Sequence, residues 1–189
     1  TWAVSRMGSG SHLMATVLCS QKGWTLGKDM KFKVVGKFKD LRDSVNKGET
    51  DAFMWETFTT KPFHDSGEVK RVGEITTPWP CFMIATRKDV VKERADELIE
   101  LINGLNRSAK EFNSKPDEMP SLISKQFGLK LEDAKAWYEG VSIVGMPRIS
   151  GFEILKAQKA LVNAGVIAKD QGKLDVFDFC CDLLSYGED

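Results

Sequence analysis

The sequence predicts an α/β fold whose first part forms a doubly wound parallel sheet and whose second part is helical. Two observations lead to this prediction. Up to Ala85, short apolar runs alternate with helix-like segments, as they do in parallel α/β sheets. After Arg87, apolar residues recur at steps of three and four, which is typical of amphipathic helices.

The first part is predicted to contain three short strands and further extended segments. The strands are predicted at residues 2–6, 32–35 and 51–55, and the further extended segments at 69–75 and 82–85. Between them we expect helices at 10–21 and 41–46, the latter with Asp40 as its N-cap, and a helical turn at 57–64.

The second part is predicted to contain four helices. A long helix begins after its predicted N-cap Asp89 and continues to about Phe112. The other three are predicted at about 117–126, at 131–139 and from the capping-box pattern Ser150–Glu153 to near Gly165. The tail at 174–184 is apolar enough to dock on other elements.

Composition excludes several classes of function. The 27 basic and 27 acidic residues cancel, so no basic field favours nucleic acid or an anionic membrane. No apolar run reaches the length of a membrane span. Four cysteines without metal spacing and only two histidines predict no metal site and no cofactor.

The cysteines and the first residue bear on the location of the protein and on the completeness of the chain. Cys180 and Cys181 are adjacent, a poor pair for a disulfide, so reduced thiols and a cytoplasmic location are expected. The chain opens on Thr1 directly before an apolar strand, which favours the back part of a longer polypeptide. The sequence indicates no oligomeric state.

A turn of small residues after the first strand is the first candidate binding site. Gly8 and Gly10 permit close backbone approach, and free N–H groups of the following helix would point at one place. The predicted ligand contacts are made by Arg6, Ser9, Gly10, Ser11 and His12. The alternative is a capped helix start that binds nothing. No G-x-S-x-G or phosphate-loop pattern occurs, so hydrolysis is not expected.

Trp55 and Glu56 form the second candidate site, at the end of the third strand. An indole ring offers a stacking platform, and the adjacent carboxylate accepts hydrogen bonds from a ligand. The alternative is that Trp55 packs in the core and Glu56 lies beside a helix N-terminus. A proline-flanked segment, Thr77, Pro78, Trp79 and Pro80, is predicted as a hinge, although an ordinary connector fits it equally.

Three segments together resemble the type II periplasmic-binding-protein-like proteins. They are Ser5–His12, Phe38–Glu56 and Thr77–Ala85. The nearest branch contains the alkanesulfonate and thiamine-pyrimidine-precursor binding proteins, possibly as a eukaryotic intracellular relative. The resemblance implies two lobes: residues 1–77 form the second lobe, 78–87 cross over, and 88–189 pack on a first lobe whose front part is absent.

The resemblance implies a solute-binding module rather than an enzyme. A small anionic or heteroaromatic metabolite would lie between the lobes, and hinge closure would serve sensing or transport. The alternative is an enzyme similar to the fungal thiamine-pyrimidine synthases, which use pyridoxal phosphate. No lysine lies in a recognisable cofactor context, so binding is favoured.

Overall fold

The computed structural model describes residues 1–143, 150–168 and 170, which divide into two compact units. The N-terminal unit comprises Thr1–Cys81 and the described residues from Gly151 onward. The helical unit comprises 82–143 and Ser150. The predicted apolar tail at 174–184 lies outside the described residues.

A three-stranded parallel sheet organises the N-terminal unit. Its strands are β1 (Trp2–Val4), β2 (Phe32–Val34) and β3 (Ala52–Phe53), in the order β2-β1-β3. Trp2 pairs with Phe32 on one side and with Ala52 on the other. The parallel sheet with interleaved helices confirms the predicted fold class.

Eight helices lie within the described residues. In chain order they are α1 (Gly10–Gln21), α2 (Phe38–Asn46), α3 (Thr57–Asp65), α4 (Lys88–Glu93), α5 (Ala95–Asn113), α6 (Met119–Phe127), α7 (Leu131–Gly140) and α8 (Gly151–Asn163). None of the described helices is both long and apolar enough to span a bilayer.

The core of the N-terminal unit lies between α1 and the sheet. Ala15 and Cys19 of α1 pack with Met30, and Trp2 and Phe32 of the sheet contact this cluster. α8 contacts α1 within the same unit, whereas the predicted division groups residues 88–189. Burial of this apolar surface fixes the sheet on which the candidate site is built.

The helical unit is held by contacts between α6 and α7 and by one aromatic group. Phe112 at the end of α5 packs edge-to-face on Trp137 and tilted against Tyr138 of α7. The Tyr138 hydroxyl donates to the Phe112 carbonyl at 2.8 Å. These contacts tie the end of α5 to α7.

The extended segments predicted at 69–75 and 82–85 do not form strands. Residues 70–86 make no backbone hydrogen bond to any described residue. A strand requires the N–H and C=O groups of a neighbouring strand, and an apolar pattern alone does not supply them. Phe82, with φ of 64° and full exposure, shows that this apolar segment is not packed on a sheet.

Two predicted helix starts are wrong. α2 begins one turn early, with Lys37 as N-cap, and Asp40 Oδ2 accepts the Lys37 N–H at 2.7 Å from inside the first turn. α4 likewise starts after Arg87 rather than Asp89. In both cases the acidic residue stabilises the helix from inside its first turn, where negative charge is also favoured.

The predicted long helix is interrupted at Arg94. This residue has φ of −136° and ψ of 38°, so α4 ends and α5 begins around it. A break of one residue leaves the apolar periodicity nearly unchanged, and the pattern therefore did not reveal it.

Candidate functional site

The carboxyl ends of the three parallel strands face the N-termini of three helices. Ser9, Lys37 and Glu56 are the N-caps of α1, α2 and α3, and each follows the strand before its helix. Because β1 lies between β2 and β3, the chain crosses to one side and then returns to the other. Ligands of doubly wound sheets bind at such a reversal, outside the carboxyl ends of the strands.

The turn between β1 and α1 is formed largely by its own side chains. Gly8 has φ of 76°, in the left-handed region that favours glycine. Ser9 is extended and its Oγ accepts the His12 N–H at 3.4 Å, which caps the helix. Ser9, Ser11 and His12 are buried, with 7%, 7% and 8% exposure.

Both buried serine hydroxyl protons are used inside this turn. Ser9 Oγ lies 2.7 Å from the Arg6 carbonyl oxygen, which can only accept, so the Ser9 proton goes there. Ser9 Oγ also lies 2.9 Å from Ser11 Oγ, and the Ser11 hydroxyl must therefore be the donor in that pair. Ser11 Oγ in turn accepts the Ser5 N–H at 3.1 Å.

Three donors near the turn remain available. The N–H groups of Gly10 and Ser11 make no hydrogen bond to a described residue, as expected at a helix start. The Arg6 side chain is exposed and has no ion pair with a described residue. An added Cβ at Gly10 would meet no atom within 4 Å, so the backbone is open there.

His12 supports the turn through its ring. The Gly8 N–H donates to His12 Nδ1 at 3.1 Å, so Nδ1 carries no proton and the neutral ring is protonated at Nε2. The ring also packs edge-to-face on Phe32, with centroids 4.7 Å apart. Burial lowers the pKa of His12 below its ordinary value, because the charged ring would lose hydration.

The Glu56 carboxylate is occupied by the helix that it caps. Oε1 accepts the Phe58 N–H at 3.0 Å, and Oε2 accepts the N–H and the hydroxyl of Thr59 at 2.6 and 2.5 Å. A hydrogen bond from Glu56 to a ligand would therefore compete with the cap. The predicted ligand role of Glu56 stays a prediction.

Trp55 lies on an aromatic group formed by Phe38, Phe53 and Phe63. Its ring stacks on Phe38 with centroids 5.1 Å apart and an interplanar angle of 15°, and the residue remains 42% exposed. The Arg42 guanidinium lies 3.4 Å from the centroid of Phe63 and pairs with Glu68. This packing fixes the orientation of Trp55 while part of the indole faces solvent.

The predicted hinge residues are half-buried or exposed, and two of them have contacts that can be named. Thr77, Pro78 and Trp79 are half-buried and Pro80 is exposed. Pro78 borders a cavity of about 150 Å³ with Val17 of α1 and Ala160 of α8. The Thr77 hydroxyl lies 3.2 Å from the Cys81 thiol. Whether this segment bends stays a prediction.

Sequence reasoning missed the residues that support the candidate site. Phe38 and Arg42 belong to a helix that was predicted to start later, so their contact with Trp55 and Phe63 was not foreseen. The spacing Phe38–Arg42 is one helical turn, which is the signal that a correct helix start would have revealed. The described residues contain no group of three or more possible metal ligands.

Comparisons with known proteins agree with the observed fold. The family model described as Ca3427-like PBP matches residues 1–75. A solved structure, the Candida albicans CA3427 gene product, is 35% identical with a TM-score of 0.81, and the match covers 98% of this chain. That product is described as defining a new family that exhibits the generic periplasmic binding protein structural fold. The chain therefore has the generic periplasmic-binding-protein fold and is similar to the type II periplasmic-binding-protein-like proteins.

The match also shows how much of the solved relative this chain corresponds to. It spans 60% of the length of the solved Candida albicans chain. The comparison with curated proteins gives no match. Both candidate binding segments, Ser5–His12 and Trp55–Glu56, lie inside the part that the family model matches.

Proposed function

We propose that this periplasmic-binding-protein-like chain is a solute-binding module for a small anionic or heteroaromatic metabolite, used in sensing or transport. The ligand binds at the carboxyl ends of β1 and β3. The carrying observation is that the Gly10 and Ser11 N–H groups donate to no described residue in the turn that contains Arg6, while the neighbouring serine protons are already used.

The available groups favour a negatively charged ligand group. The N-terminus of α1 carries partial positive charge, and the exposed Arg6 adds a full one. The nearby carboxylate of Glu56 is engaged by the amides of α3. The N–H groups of Gly10 and Ser11 and the Arg6 side chain are all donors, and an oxyanion complements them.

The exposed part of Trp55 supports a flat ligand. β1 and β3 are paired neighbours, and adjacent strands lie about 4.8 Å apart, so the residues that follow them are close. An anionic group at the α1 N-terminus and a ring on Trp55 are therefore compatible with one small molecule. In this proposal Ser9, Ser11 and His12 support the turn. The lobes close on the ligand by bending at Thr77–Pro80.

The test compares Arg6→Gln with Arg107→Gln, an exposed arginine of α5 far along the chain. Calorimetry with inorganic phosphate and methanesulfonate should show weaker binding in Arg6→Gln, by roughly tenfold, because one charge-assisted hydrogen bond of about 1.5 kcal/mol is lost. Arg107→Gln should bind like the parent protein.

Equal binding by both variants, or no binding of either anion by the parent protein, would contradict the proposal. Native mass spectrometry of the purified protein would identify a ligand that is retained. A pyridoxal absorbance band in that sample would instead favour the synthase-like alternative.

A further inference from the structure

His12 is held as a neutral hydrogen-bond acceptor by the geometry around it. Its Nδ1 accepts the Gly8 N–H at 3.1 Å, its ring contacts Phe32, and its carbonyl accepts the Thr16 hydroxyl at 2.8 Å. The residue is 8% exposed. The ring is therefore a fixed structural support of the turn that precedes it.

Protonation would convert this support into a repulsion. Because Nε2 already carries a proton in the neutral ring, the added proton binds at Nδ1 and leaves no lone pair for Gly8. The Gly8 N–H and the new Nδ1–H would then point at each other. Two donors cannot share one hydrogen bond, so Gly8 and the ring must separate.

The turn, β1, α1 and β2 contain no carboxylate that could stabilise a positive charge on His12. The turn contributes Arg6, and Lys31 and Lys33 flank Phe32, whose neighbours along the strand are directed to the opposite face, where Lys33 is paired with Glu49 at 2.7 Å. Neither β1 nor α1 contains a charged residue. Position three of α1 also places the ring at the positive end of the helix.

We propose that protonation of His12 breaks its bond with Gly8 and displaces the turn from Arg6 to Ser9, which makes the N-terminus of α1 a pH-sensitive switch. Arg6 moves because its carbonyl accepts from both the N–H and the hydroxyl of Ser9, at 3.2 and 2.7 Å. An effect on ligand binding would rest on the proposed function, whereas the switch itself does not.

The sign of the pH effect follows from burial. The pKa of His12 in the folded chain is below its ordinary value of 6.5, and desolvation is the cause. Above that value the ring is neutral in both folded and unfolded chains. As the pH falls below 6.5 the unfolded chain binds the proton first, so the folded state loses stability between 6.5 and the lower folded value, and the loss is complete below that lower value.

The experiment follows the Gly8 and Ser9 amides of the ¹⁵N-labelled protein by NMR between pH 8 and 5. In the parent protein both resonances should shift with the His12 imidazole, with a midpoint below 6.5. His12→Asn places a non-titrating acceptor oxygen near the Nδ1 position and should abolish the shift. His64→Asn replaces the second of the two histidines and should leave it intact.

Gly8 resonances that stay constant down to the pH of acid unfolding would overturn the proposal. A transition that persists in His12→Asn, or disappears in His64→Asn, would overturn it as well. If His12→Asn does not fold, the His64→Asn variant still tests the proposal. His12 is then the remaining histidine, so the shift of the Gly8 and Ser9 amides must persist. Failure to bind phosphate would contradict the proposed function and leave this result unaffected.

Discussion

The segments that follow the neighbouring strands β1 and β3 cap their helices in opposite ways. After β1, Ser9 supplies one hydroxyl oxygen to one amide, at 3.4 Å, and the amides of Gly10 and Ser11 donate to no residue in the described part of the chain. After β3, Glu56 supplies two carboxylate oxygens to two amides and a hydroxyl. The serine that caps α1 is buried and neutral, whereas the glutamate that caps α3 is exposed and negatively charged.

This difference bears on which of the two helix starts is suited to an anion. A carboxylate at a helix N-terminus neutralises the partial charge that an anion would otherwise contact. A serine cap holds the helix with a neutral oxygen and preserves that charge for a ligand. The type of cap therefore indicates which of two adjacent helix N-termini can bind an anion.

Ser9→Ala should have the largest effect on stability. It removes the cap of α1 and leaves the buried Ser11 hydroxyl without its acceptor, so we expect a loss of about 2 kcal/mol. Urea denaturation followed by circular dichroism measures this loss. Ser20→Ala, an exposed serine of the same helix, should show no loss, and equal values for both variants would contradict the assigned network.

Glu56→Ala should cost less, about 1 kcal/mol, because the freed amides of α3 are exposed and can bind water. Glu56→Gln keeps one acceptor oxygen and should recover part of the loss. Thermal unfolding of the three proteins at one salt concentration gives the comparison. A loss as large as that of Ser9→Ala would show that burial does not distinguish the two caps.

Asp40→Ala should have the smallest effect, about 0.5 kcal/mol. Asp40 accepts the single N–H of Lys37, at an exposed position in the first turn of α2. Amide hydrogen exchange of the first turn of α2 should rise by roughly twofold, with no change in α1. Faster exchange throughout both helices would mean that the three helix starts are not independent.

The apolar pattern of the sequence predicted the elements whose partners lie within the chain. β1, β2 and β3 were found because each apolar run pairs with another one in this sheet. The segments at 69–75 and 82–85 have the same pattern and no pairing strand among the described residues. A local pattern reports the tendency to extend, and pairing decides whether a strand forms.

The sequence predicted which residues belong to the candidate site, but it did not predict the hydrogen bonds among them. The turn at Ser9–His12 and the pair Trp55–Glu56 were identified from small, aromatic and acidic residues after strands. The direction of the Ser9 and Ser11 hydroxyl protons depends on the Arg6 carbonyl, which only coordinates reveal. The role of His12 as an acceptor for Gly8 likewise needs the positive φ of that glycine.

The central position of β1 has a consequence for the order in which the sheet assembles. Pairing β1 with β2 closes a loop of about 30 residues, and pairing it with β3 closes one of about 50, a difference in closure entropy of only about 0.5 kcal/mol. Loop length therefore hardly favours either partner. The three residue pairs between β1 and β2, against two with β3, favour β2 as the earlier partner, with α1 as the helix that connects these two strands.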